Sequence, residues 1–303
     1  MSSNATNPRL VCEREMRRAL LEWYEPRRRM YPWRGSRDPY RVLVSEVMLQ
    51  QTQAARVAPA YKAFLRRFPS VRALAAASRR EVLRAWGALG YNRRALRLSE
   101  AARAIVRTHQ GRVPSDLEEL RGLPGVGSYT AAAVASLAYG RPVPAIDTNL
   151  ARVVARARLG AEAHEVRRGE LEVAAIEWLD GVDPRAWNQA LMDLGREVCR
   201  PAPRCPSCPL ASGCRFRRAG RKAVRARRSG SSFRGSAREV RGAVVRVLRE
   251  RATASMAMLI RETGNPAHMV AEAVGTLARD GLVEASAAAI GGRPGARVRL
   301  PGD

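Results

Sequence analysis

An all-α fold is predicted for most of this 303-residue chain. Three observations predict it. Between residues 10 and 215 apolar positions recur in short blocks with helical spacing. Gly, Pro, Asn or Asp punctuates the block ends, as helix termini require. No segment of that region sustains the period-two alternation of a half-buried strand. The length allows about two domains at ~100–200 residues each.

In order, the blocks are Cys12–Tyr24, Tyr40–Gln53, Ala58–Phe68, Arg79–Leu89, Arg93–Thr108, Asp116–Arg121, Ser128–Tyr139 and Thr148–Leu159. The stretch Arg215–Arg241 differs: arginines and Lys222 crowd it, Glu239 is its one acid, and Gly and Ser intervene. Such a segment buries little apolar surface and reads as a basic linker. Beyond it, Val240–Glu250 and Met269–Arg279 are amphipathic. An Asp280-Gly281 turn, a Gly-rich turn at Gly291–Gly295 and the alternating run from Ala296 to Leu300 follow. Helices followed by two short strands predict a small winged-helix-like domain.

The formal charge is +26, with hydrophobic residues at 46% and aromatic residues at 5%. That apolar content is too high for disorder, and the charge favours a polyanion, most simply nucleic acid. Only Lys62 and Lys222 are lysines; every other basic residue is arginine. The longest apolar run, Ala131–Tyr139, falls far short of the roughly 20 residues that span a bilayer. The N-terminus lacks a signal-peptide pattern, so a soluble intracellular chain without membrane attachment is expected.

Cys199, Cys205, Cys208 and Cys214 are spaced C-x5-C-x2-C-x5-C. Two thiolates three residues apart can reach one centre, and short loops bring in the flanking pair. Prolines 201, 203, 206 and 209 stiffen the loop. Thiolates select zinc or iron–sulfur, and spacing alone leaves both open. Cys12 stands apart and reads as a plain buried thiol.

Leu123-Pro124-Gly125-Val126-Gly127 lies between two helical blocks. Its glycines permit a tight hairpin whose N–H groups, with those of the next helix, can hold a phosphate. Glu46 sits in the apolar block Val42–Thr52. Burial there would keep its carboxyl protonated, as a general acid requires; a surface glutamate is the competing reading. Asp147 occupies an N-cap position before Thr148, a role compatible with holding a carboxylate at a site edge.

Together these pieces resemble the helix-hairpin-helix DNA glycosylases, specifically the MutY-type adenine glycosylases, over about residues 10–220. The matching segments are Pro32-Trp33-Arg34, Ser45–Thr52, Leu89-Gly90-Tyr91, Leu123–Thr130, Asp147-Thr148-Asn149 and the four cysteines. The resemblance implies an iron–sulfur helical domain from 10–30 and 141–222. It implies a six-helix domain over 31–140; the basic linker at 223–239 and the winged-helix-like domain at 240–303, read from composition and pattern, complete the chain. It turns the cysteine reading to a [4Fe–4S] cluster.

By the same resemblance, Glu46 protonates a flipped adenine at its ring nitrogen seven, and Asp147 stabilises or traps the oxocarbenium-like sugar. Tyr129 and Asn149 orient that centre. Gln51 and Tyr91 wedge into the duplex, while Arg34, Gly125, Val126 and Gly127 contact DNA. Endonuclease III-type relatives carry a Schiff-base lysine where this chain has Tyr129, which implies a monofunctional enzyme.

The implied partner is double-stranded DNA containing adenine opposite 8-oxoguanine or guanine. The implied protein is monomeric, cytoplasmic and nucleoid-associated. Two readings compete: a thymine or uracil mismatch glycosylase, and a non-catalytic iron–sulfur DNA-binding or redox-sensing protein. The chain departs from the family pattern in its shorter first cysteine spacing and in Asn92 after Tyr91. Its last ~60 residues are also too short and too helical for a Nudix-like domain.

Overall fold

The computed structural model describes residues 8–223 and 235–302; the side chains of residues 8–12 lie outside that description. The Cys12 side chain and residues 224–234 of the basic linker therefore lie outside the description. Helices dominate, as predicted. They run in order as α1 (Pro8–Tyr24), α2 (Pro39–Leu49), α3 (Ala54–Arg67), α4 (Val71–Ala75), α5 (Arg79–Trp86), α6 (Arg93–Thr108), α7 (Leu117–Arg121), α8 (Ser128–Tyr139), α9 (Thr148–Val154), α10 (Arg168–Leu179), α11 (Pro184–Glu197) and α12 (Arg215–Arg218). Among the described residues, no helix is long and apolar enough to cross a membrane.

Two compact units divide the chain. The first takes residues up to Glu46, Ser115–Gly122, and the chain from Val126 through the cysteine segment. Its core gathers Leu20 and Tyr24 of α1, Leu150 and Val153 of α9, Trp178 of α10, and Trp187 and Leu191 of α11. The two tryptophans meet edge to face, 6.0 Å between centroids, the geometry favoured by ring quadrupoles. Cys199, Cys208 and Cys214 pack against this core.

The second unit takes Val47–Pro114, Leu123–Gly125 and the described C-terminal chain. Phe64, Phe68 and Trp86 cluster edge to face at its centre. Its C-terminal part is built from α13 (Ala237–Arg251), β1 (Thr253–Ser255), α14 (Met256–Thr263), α15 (Ala267–Arg279), β2 (Glu284–Ala285), α16 (Ala287–Ile290) and β3 (Arg297–Arg299). The strands form an antiparallel sheet in the order β1-β3-β2, pairing Thr253 with Arg299 and Glu284 with Arg299. Three helices and a small sheet with a terminal hairpin match the predicted winged-helix arrangement.

One boundary differs instructively. The sequence predicts a single helix from Tyr40 to Gln53, yet α2 stops at Leu49 and α3 begins at Ala54. Gln51 between them has φ +53°, a left-handed conformation that ends a helix and that a non-glycine residue adopts at a cost. Tyr91 likewise has φ +47°. A guanidinium stabilises both turns. Arg94 donates to the carbonyls of Val47 (2.9 Å), Met48 (3.0 Å) and Gln50, and to Thr52 Oγ1 (2.9 Å). It also lies 5.3 Å from the Tyr91 ring centroid and 5.4 Å from that of Trp86. The last carbonyls of α2, which lack intrahelical partners, are thereby satisfied by a cation.

Buried ion pairs are structural in the first unit. Arg156 donates to Glu162 at 2.8 Å, with their side chains only 3% and 8% exposed. Removing one member leaves the other buried and uncompensated, which costs about 3–5 kcal/mol. Glu162→Ala is therefore expected to lower stability by about 3 kcal/mol in denaturant unfolding. A loss below ~0.5 kcal/mol would show that the pair contributes as little as an exposed one.

Candidate active site and cysteine centre

α2 is apolar on nearly every side: Val42, Leu43, Val44, Val47 and Met48 are all buried, and Glu46 among them is 5% exposed. The competing surface reading of Glu46 is thus set aside. Its Oε2 accepts a 2.8 Å hydrogen bond from the Tyr129 hydroxyl, presented by the first turn of α8. Burial raises the Glu46 pKa from the ordinary 4.5 to about 7. The Tyr129 hydrogen bond and the Arg34 charge pull it down, and Asp147 pushes it up. Desolvation wins because, among the described residues, no cation hydrogen-bonds the carboxyl directly. The same burial, together with the Glu46 charge, holds the Tyr129 hydroxyl well above its usual value.

Asp147 caps α9. Its Oδ1 accepts from the N–H groups of Asn149 (2.9 Å) and Leu150 (2.7 Å), and its Oδ2 from the Asn149 amide (2.9 Å). Three donors fix the carboxylate plane. The loop before it is pinned by buried Asn188, which accepts from the Ala145 N–H (2.7 Å) and donates to Ser136 Oγ (2.7 Å) and Pro184 O (2.8 Å). Arg152 donates to Asn149 Oδ1 (2.9 Å), to Gly195 O (2.6 Å) and to Cys199 O (2.6 Å). A continuous hydrogen-bonded path thus runs from Asp147 to the cysteine loop. α11 approaches α9 so closely that a Cβ on Gly195 would fall 2.7 Å from Asn149 Cβ, so only glycine fits.

Arg34 departs from its expected place on a DNA-facing surface. Its side chain is 9% exposed and pairs with Asp193 at 2.7 Å. It also donates to the Tyr24 hydroxyl (2.9 Å), which in turn donates to Gln189 Oε1 (2.7 Å). A guanidinium so engaged acts through its field on Glu46 rather than through a direct contact. In the hairpin, Gly125 and Gly127 are exposed while Val126 is buried. Gly125 has φ +77°, and a Cβ there would meet Arg97 Cβ at 2.7 Å. Only the backbone of this turn can face a ligand. Gln51 and the 40%-exposed Tyr91 sit on their left-handed turns, as described above.

The four cysteines are free thiols of intermediate exposure. Burial pushes Cys208 up to about 12, with added repulsion from Cys199, Cys214 and Cys205, so the sulfurs lie near enough to feel one another. Arg156 offsets this at Cys199, approaching its Sγ at 3.8 Å. Among the described residues no three Cys, His, Asp or Glu side chains converge on a single ion. Cysteine thiolates are soft donors of the kind that zinc and iron–sulfur centres take.

A model of the HhH-GPD superfamily of base excision DNA repair proteins matches residues 44–174. An adenine DNA glycosylase of Mycolicibacterium smegmatis is 43% identical over 272 residues, which cover 88% of this chain and 92% of that protein. The chain belongs to the MutY-type DNA glycosylases of the HhH-GPD superfamily. The human adenine DNA glycosylase is 42% identical over 213 residues, 66% of this glycosylase but 39% of the human protein. Among solved structures, a thermostable thymine-DNA glycosylase matches with TM-score 0.65 and 29% identity, over 70% of this chain and all of that one. A non-covalent endonuclease III–DNA complex matches with TM-score 0.56 and 26% identity, over 69% of this chain and 99% of that one.

Several working residues of the glycosylase escape sequence reading. Arg152 was findable, since it lies three residues after Asn149 on the same helix face. Arg94 and Asn188 were not: their partners are distant in sequence and carry no motif.

The Glu46 environment has a consequence for stability. Its folded pKa of about 7 lies above the ordinary 4.5, so the native state holds the proton more tightly than the unfolded chain. Stability from this group is full below about pH 4.5, is lost as pH rises through about 7, and changes no further above it. Glu46→Gln should therefore melt several degrees above the parent at pH 8 and close to it at pH 5. Equal melting temperatures at both values would show that the carboxyl is not desolvated.

Proposed function

We propose that this glycosylase hydrolyses the N-glycosidic bond of adenine mispaired with 8-oxoguanine or guanine in double-stranded DNA, leaving an abasic site without cutting the strand. The observation that carries this is Glu46: a carboxyl buried in apolar surroundings, with its proton retained near neutral pH and one oxygen engaged by Tyr129. A general acid works best when its pKa lies near the operating pH. Glu46 donates its proton to ring nitrogen seven of the flipped adenine. The glycosidic electron pair leaves with the base, and a positive charge develops on the sugar. Asp147, held by Asn149 and the α9 N-terminus, stabilises that charge or bonds to it before water adds. This follows the two-carboxylate logic of glycoside hydrolysis.

Gln51 and Tyr91 are proposed to enter the duplex beside the vacated position, helping to offset an unstacking cost of a few kcal/mol. The N–H groups at Gly125, Val126 and Gly127 would take a phosphate. Arg34 is proposed as a positioning residue that tunes Glu46. Cys199, Cys205, Cys208 and Cys214 would hold a [4Fe–4S] cluster, which when bound supplies iron–thiolate bonds that close the loop and so steady the Arg152 path to Asp147. The protein is read as a cytoplasmic, nucleoid-associated monomer.

A second reading, thymine or uracil release, draws on the likeness to the thymine-DNA glycosylase structure. Single-turnover release across A·8-oxoG, A·G, T·G and U·G duplexes separates the two, with adenine release expected to dominate. Loss of thymine or uracil alone would overturn the adenine assignment, and release from none would favour a non-catalytic DNA-binding or redox-sensing protein. Glu46→Gln should slow adenine release by ~10²–10⁴-fold. The parent rate should fall about tenfold per pH unit above about 7, because the acid is then ionised. Tyr129 occupies the position of the lyase lysine, so borohydride should trap little enzyme on abasic DNA. Efficient trapping with strand scission would refute the monofunctional assignment.

A further inference from the structure

Within the winged-helix module α13 is rich in arginine, as the wing is at Arg293, Arg297 and Arg299, whereas the helix that would conventionally read a groove is not. α13 lines a cleft of about 950 Å³ with Arg238, Arg246 and Arg249, and the Gln51 and Tyr91 turns, with Arg56, form the opposite wall. The Arg238 guanidinium lies 5.3 Å from the Tyr91 ring centroid, as Arg94 also does. The ring is thus flanked by two cations. Carboxylate pairing within this cleft reaches Arg93 (3.4 Å) and Arg241 (2.5 Å), both through Asp280. Glu239 instead accepts from the Gly235 N–H at 2.6 Å. Among the described residues, no carboxylate pairs with Arg56, Arg238, Arg246 or Arg249. Like charges gathered without counter-charges repel, so the cleft favours an anion that can span several guanidinium groups.

α15 stands third among the main helices of the module, the position that enters the major groove in helix-turn-helix proteins. Its exposed residues are Ala267, His268, Glu272 and, at its last turn, Arg279. An acid and a single terminal arginine make a poor surface for a duplex. We propose that the C-terminal module grips DNA through α13: Arg56, Arg238, Arg246 and Arg249 take successive backbone phosphates of the strand at the Tyr91 turn, and α15 makes no base-reading contact. This rests on the glycosylase reading above but assigns the module a separate role. Phosphates are the occupant because each guanidinium forks onto phosphate oxygens bidentately, and a regular polyanion matches cations spaced along a helix.

The test is salt-dependent binding of the full chain to an unmodified duplex, followed by fluorescence anisotropy. Each lost phosphate contact lowers the slope of log K against log salt by about 0.9. The R238Q/R246Q/R249Q variant should lose about 2–3 in slope and bind at least about tenfold more weakly near 0.1 M salt. H268A/E272A on α15 and R293A/R297A on the wing should stay within about twofold of the parent. Should the triple variant fail to fold by circular dichroism, the single Arg→Gln changes decide, each expected to lower the slope by about 1. An unchanged slope in the α13 variants, or affinity lost instead through α15 or the wing, would overturn the clamp. A parent that binds with the expected slope but releases no base would refute the glycosylase reading while leaving the clamp intact.

Discussion

A carboxyl buried in α2 sets the terms for the rest of the first unit. An ionised Glu46 in that setting would carry a large desolvation penalty, so the side chain keeps its proton until about neutral pH. The protein does not relieve the strain with a salt bridge, which would pin the carboxyl as a carboxylate. It supplies one neutral hydroxyl from Tyr129 and keeps the nearest strong cation, Arg34, occupied with Asp193 and Tyr24. A free guanidinium there would lower the pKa and disarm the acid. Asp147 feels different surroundings. Two backbone N–H groups and an amide converge on it, which fixes both its oxygens at the start of α9. The two carboxyls are thus held in different ways, one by burial and one by three hydrogen-bond donors.

Arginine wires these settings together. The planar fork can satisfy several carbonyls at once, and it keeps its charge when buried. Arg94 closes the end of α2 through three carbonyls and a hydroxyl. Arg152 joins Asn149, Gly195 and Cys199, and Arg156 binds the Arg200 carbonyl at 2.7 Å while paired with Glu162. A lysine point charge could fill none of these places equivalently. Part of the arginine excess is therefore internal architecture, and only part is a surface for polyanions.

Short-range signals made much of this readable in advance. The helical blocks, the winged-helix arrangement and the N-cap at Asp147 are set by spacing and local chemistry, and they emerged at or near the expected residues. Glu46 was legible as a candidate because an acid inside an apolar block is anomalous, although sequence alone could not say that it was buried. What stayed hidden depends on long-range closure. The helix break at Gln51 looks like continued helix in the sequence, because the guanidinium that stabilises it is more than forty residues away. Arg34 reads as a DNA contact from its motif, but its partner Asp193 lies at a separation of 159 residues. No period or motif records such a pairing.

The division of charge in the C-terminal module follows from the same reasoning. In a module that read a duplex by itself, arginine would be expected on α15, because that helix enters a groove. Here α15 offers Glu272 and His268, while α13 turns its arginines toward the turns that carry Gln51 and Tyr91. Charge placed there contributes little to the fold, because repulsion opposes it and, among the described residues, Asp280 is the carboxylate that pairs with arginines of this cleft. Clustered, unneutralised cations beside two left-handed turns are costly unless a ligand repays that cost on binding. The module is thus better understood as a wall of the DNA cleft than as an independent reader. Any sequence preference it confers would come through how the backbone is held, not through edges of the bases.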